Sequence, residues 1–110
     1  MKKLLLLSLV LSVFSCNSDI VPDSQKVCAL MGEQYDFLDE GFYRMKDRSM
    51  VASSLMNYKT IQRSIDTIVS KYDKAKFDEQ LYSFCTTGGG EILELVRILE
   101  EELIYLDAAN

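Results

Sequence analysis

The chain has 110 residues, with seventeen acidic against twelve basic side chains, a net charge of −5, three cysteines and no histidine. That length suits one small domain. The acidic balance argues against nucleic acid and anionic lipid as partners, and the missing histidine removes the commonest general base, the commonest metal ligand and every Ser-His or Cys-His nucleophile pair.

Met1 to Cys16 reads as an export signal. Lys2 and Lys3 supply a positive start, and Leu4 to Phe14 form an eleven-residue uncharged run interrupted only by Ser8 and Ser12. The run falls short of the roughly 20 apolar residues that a membrane span requires. Its end, Val13-Phe14-Ser15-Cys16, resembles the lipobox of bacterial lipoproteins, departing from it in the bulk of Phe14. The resemblance implies cleavage after Ser15, which makes residues 1–15 a signal peptide. It also implies fatty acylation of Cys16, of the palmitate type. With Asn17 following the cysteine, it implies an envelope location, at the periplasmic side of the outer membrane in a Gram-negative host.

Removing the signal takes two basic residues and no acidic ones, leaving ten basic against seventeen acidic side chains, or −7. Once the resemblance assigns Cys16 to lipid, Cys28 and Cys85 remain as an even pair in an oxidising compartment. They either form a disulfide, worth on the order of 4 kcal/mol by the chain-entropy argument, or persist as two buried thiols.

Residues 17–22 read as a short polar tether that spans about 20 Å when extended and holds the domain, residues 23–110, close to a membrane. Asp23 or Ser24 can cap a first helix, with Pro22 barring its backward extension. Cys28, Met31, Tyr35, Leu38, Phe42 and Met45 then recur at alternating spacings of three and four, one apolar stripe on a helix. Lys46 to Ser49 is the expected turn, with Asp47 or Ser49 as the next cap. A second helix carries Val51, Leu55, Tyr58, Ile61, Ile65, Ile68 and Tyr72 on one face. Asp73 can cap a short third helix holding Phe77, Leu81, Phe84 and Cys85. Thr86 to Gly90 is read as a flexible connector. The last helix, from Glu91, repeats Ile92, Val96, Leu99, Leu103 and Leu106. The expectation is an all-α, up-down bundle of three long helices and one short one.

Few constellations carry chemistry. Glu33, Asp36, Asp39 and Glu40 form a carboxylate row that reads as a solvated helix face, since no histidine completes a di-iron set and no glycine-centred calcium loop is present. No catalytic residues, metal site or cofactor are expected, so the chain is read as a non-enzyme. The leading expectation is a membrane-anchored module that binds another envelope protein, of the inhibitor, immunity, exclusion or accessory type. The acidic run Glu100, Glu101 and Glu102 is its expected docking surface. The alternatives are a carrier holding a small apolar ligand beneath Phe37, Phe42, Ile65 and Leu99, or an oligomeric structural helper.

Overall fold

The computed structural model describes residues 19–109, so the signal segment, the lipobox and Cys16 lie outside the described residues. The described chain forms four helices and no strand: α1 (Ile20–Tyr43), α2 (Arg48–Val69), α3 (Lys74–Tyr82) and α4 (Gly89–Ala109). It is an all-α bundle in which α1 is the hub, packing on each of the other three, while α2 also packs on α4.

Helix α1 starts earlier than the sequence suggests. Pro22 stands in the first turn, after Ile20 and Val21. A proline there costs little, because the first four amides of a helix have no intrahelical acceptor. Asp23 and Ser24 are therefore helical residues and not caps. The Ser24 hydroxyl turns back and donates to Val21 O at 2.8 Å, while the Asp23 carboxylate accepts from the Tyr72 hydroxyl. The expected tether shrinks accordingly, since the helix begins four positions after Cys16.

The break after α1 falls at residues 44–47, two positions ahead of the expected Lys46 to Ser49, and of the two expected caps it uses Asp47. Asp47 takes an extended conformation and its carboxylate accepts from Ser49 N at 3.1 Å and Met50 N at 3.4 Å, capping α2. With the chain reversed, α2 runs back along α1, and its far end meets the start of α1 where Tyr72 reaches Asp23. Tyr72 lies just past α2 and stacks on Phe77 of α3, ring centroids 5.4 Å apart. The final helix runs antiparallel to α2, so that Asp107 near its end pairs with Arg48 at the start of α2. Gly89 and Gly90 belong to its first turn and not to a connector.

The core is the meeting of the predicted stripes: Leu38 of α1, Val51 of α2, Phe77 of α3 and Leu99 of α4 are all fully buried. Ile92 and Val96 are buried as well, whereas Leu103 and Leu106, further along α4, are half-buried against the core. Phe84, expected on the third helix, lies beyond its end and is 41% exposed. It follows the last turn of α3, where the helical period no longer directs it inward.

Gly41 sets how closely the helices approach. A β-carbon there would stand 2.6 Å from Ser54 Oγ and 3.2 Å from Leu99 Cδ1. The residue therefore sits where α1, α2 and α4 come together, and glycine's usual helix penalty of about 1 kcal/mol is offset by that contact. Gly32 has no atom within 4 Å of the same position and plays no such part.

Candidate binding surfaces

Cys28 and Cys85 are joined by a disulfide with Cα atoms 5.7 Å apart, closing a separation of 57 residues. Cys28 lies in the third turn of α1 and Cys85 just beyond α3. The bond fastens the short helix and the turn that follows it to the hub helix. A nine-residue helix is marginal by itself, so this covalent attachment complements the burial of Phe77 and Leu81.

The acidic run on α4 does not form one surface. Successive helical residues point about 100° apart, and the three glutamates fan around the axis. Glu101 accepts from Arg97 Nη1 at 2.9 Å, Glu102 is half-buried and Glu100 is exposed. The Tyr58 phenol on α2 has its pKa raised, by burial first and by Asp66 next, with Glu100 the least of the causes. Arg97 also donates to Glu94, which holds the Glu94 carboxyl below its ordinary value. The contiguous outer stripe of α4 is instead mixed: Leu93 and Ile104 are 63% and 70% exposed and flank Arg97 and Glu100 on one face.

The four residues expected to roof a ligand cavity do not come together around one. Leu99 is fully buried, Phe37 and Phe42 are at the surface beside separate shallow depressions, and Ile65 alone of the four lines the cleft between α1, α2 and α3. That cleft, of about 350 Å³, has α1 as its floor, α2 and α3 as facing walls and the first turn of α4 at one end. It arises because α2 and α3 each rest on α1 but share little contact with one another. Val27, Met31, Phe77 and Leu81 supply apolar floor and wall.

One polar strip crosses this cleft. Gln34 is 1% exposed, and its Nε2 donates to Tyr58 O at 3.2 Å and to Gln62 Oε1 at 3.0 Å. Gln62 Nε2 in turn donates to Asp66 Oδ1 at 2.9 Å. Burying an amide without partners is costly, and this relay is what permits Gln34 to sit between α1 and α2. Sequence reading passed over Gln34, whose place within the apolar stripe of α1 was the available signal.

The carboxylate row of α1 is solvent-facing apart from half-buried Asp39. Among the described residues no group of three potential ligands could hold a metal ion. No described helix is long and apolar enough to cross a membrane. The six tyrosines divide evenly: Tyr35, Tyr58 and Tyr72 are half-buried at core edges, while Tyr43, Tyr82 and Tyr105 are exposed. No protein-family model, curated protein or solved structure matches this chain.

Proposed function

We propose that the chain is a lipid-anchored binding module of the cell envelope, held by acylated Cys16 and presenting its stapled bundle to a protein partner. The observation that carries this reading is the cysteine arithmetic. Cys28 and Cys85 are bonded to each other, which leaves Cys16 as the odd cysteine, at the end of an apolar export-type run and in a lipobox-like setting. A disulfide also fits an exported protein better than a cytosolic one. The distance between anchor and fold is short, since α1 begins at Ile20. The partner therefore meets the bundle near a membrane surface, at the periplasmic side of the outer membrane in a Gram-negative cell.

Binding and not catalysis is the use best supported by the side chains present. The outer stripe of α4 joins Leu93, Arg97, Glu100 and Ile104, an apolar and charged mixture suited to a protein contact. Glu100 lies on that stripe and Glu101 beside it, paired with Arg97, with Glu102 turned partly inward.

Intact-mass analysis of the protein taken from membranes tests the anchor. The expected species begins at Cys16 and carries a diacylglyceryl group, and Cys16→Ala releases the protein from the membrane fraction. An unmodified Cys16 would remove the reading. Short-reach crosslinking in the native cell then tests the surface: reversing Glu100 and Glu101 to lysine is expected to abolish a specific crosslinked species that Asp36→Lys on α1 leaves intact.

A further inference from the structure

The cleft over α1 has a chemical bias that its apolar lining alone would not give. All of its relayed hydrogen bonds point the same way, from Gln34 to Gln62 and from Gln62 to Asp66. Both amide hydrogens of Gln34 are committed, one to Tyr58 O and one to Gln62. What Gln34 can still offer is its carbonyl oxygen, and an ionised Asp66 can only accept. Gln62 keeps one amide hydrogen beyond its bond to Asp66, so the strip offers more acceptors than donors.

Charge points in the same direction. Asp66, Asp78 and Lys74 are the charged residues lining the cleft, and Lys74 is engaged by Asp78 at 3.3 Å. Asp66 is left as the charge that a ligand would meet, in a protein whose net charge is already −5. An anion is disfavoured by both the local and the overall field, whereas a cationic donor matches the strip. The volume of about 350 Å³ lies at the small end of ligand sites and accommodates a body of one or two rings.

We propose that this cleft binds a small amphiphilic amine, its ammonium group at Asp66 and its apolar body against Met31, Ile65, Val69 and Leu81. The inference is independent of the lipid anchor and of the protein partner. It differs from a carrier of purely apolar ligands because the polar strip selects the head group.

A matched pair of probes, 1-naphthylmethylamine and 1-naphthoate, tests it, with binding to the disulfide-bonded protein followed by NMR amide shifts. The amine is expected to bind at least tenfold more tightly and to perturb residues 62–69 of α2 and 74–81 of α3. Asp66→Asn is expected to weaken the amine at least fivefold and leave the naphthoate unchanged, while Asp36→Asn on the outer face of α1 alters neither. Equal affinity for the two probes, shifts confined to another surface, full amine affinity in Asp66→Asn, or no binding of either probe would each overturn the proposal.

Discussion

Arg48 and Asp107 form an ion pair across 59 residues in which each member opposes its own helix. Arg48 is the first residue of α2, where the helix dipole disfavours a cation, and Asp107 stands near the end of α4, where it disfavours an anion. The antiparallel arrangement brings these ends together, and each charge answers the other. The pairing raises the Arg48 pKa, chiefly through the hydrogen bond to Asp107. Exposed pairs contribute modestly, so the informative test is an exchange. Arg48→Asp and Asp107→Arg singly are expected to lower the melting temperature. The double exchange restores the pair and aligns both charges with their helix dipoles, so it is expected to melt above the parent. A double variant that melts below both singles would refute the account.

Gly41 and Gly32 lie on the same helix and should respond oppositely to alanine. At Gly41 the new methyl meets Ser54 and Leu99, closer than side chains tolerate, so Gly41→Ala is expected to destabilise by about 1–3 kcal/mol through overpacking. At Gly32 the space is open, and Gly32→Ala is expected to stabilise by about 0.4–1 kcal/mol through the unfolded chain and helix propensity. Urea unfolding of the two variants reads both signs.

Reduction of Cys28–Cys85 should cost stability in proportion to the chain it frees. A loop of 57 positions corresponds to about 4 kcal/mol in the chain-entropy model. The paired substitution Cys28→Ala with Cys85→Ala is expected to show most of that loss in denaturant. Hydrogen exchange should rise first in α3, whose nine residues depend on the bond and on Phe77 and Leu81 for their attachment.

The start of α4 should carry an acid-sensitive element. Arg97 lowers the Glu94 pKa, by hydrogen bonding first and by charge second. A lowered folded-state value means that the contribution is fully present above the unfolded value of about 4.3 and is lost as pH falls through the folded one. Carboxyl-carbon NMR titration is expected to place Glu94 below a free glutamate, and Arg97→Met to return it to the ordinary value.

The helices were largely legible because an apolar repeat of three and four needs no tertiary information. The Asp47 turn was legible for a similar reason, since an acidic cap acts on amides two and three positions away. The start of α1 was not, because a proline reads as a barrier until its place within the first turn is known. Glycines misled at Gly89 and Gly90 in the same way. The Cys28–Cys85 pair was legible as one of two alternatives from the cysteine count, and its closure is seen, whereas Arg48–Asp107 depends on a distance between residues remote in sequence, to which spacing gives no access. The cleft depends on something subtler, the divergence of α2 and α3 above a shared support, and no local pattern encodes that. The fanning of Glu100, Glu101 and Glu102 was accessible from helix geometry alone, yet a run of like charges invites reading as a patch.

The position of the disulfide also decides how the protein would bear mechanical load. If the N-terminus is held and a bound partner pulls on α4, tension enters α1 at Ile20 and reaches Cys28 within eight further residues. From there the covalent link carries it to Cys85 and into α4, bypassing residues 29–84. Most of α1, all of α2 and all of α3 stay off the line of force. The leading turns of α1 and the segment from Cys85 into α4 bear the load, so the covalent link divides the chain into two short loaded stretches and a central portion that carries none.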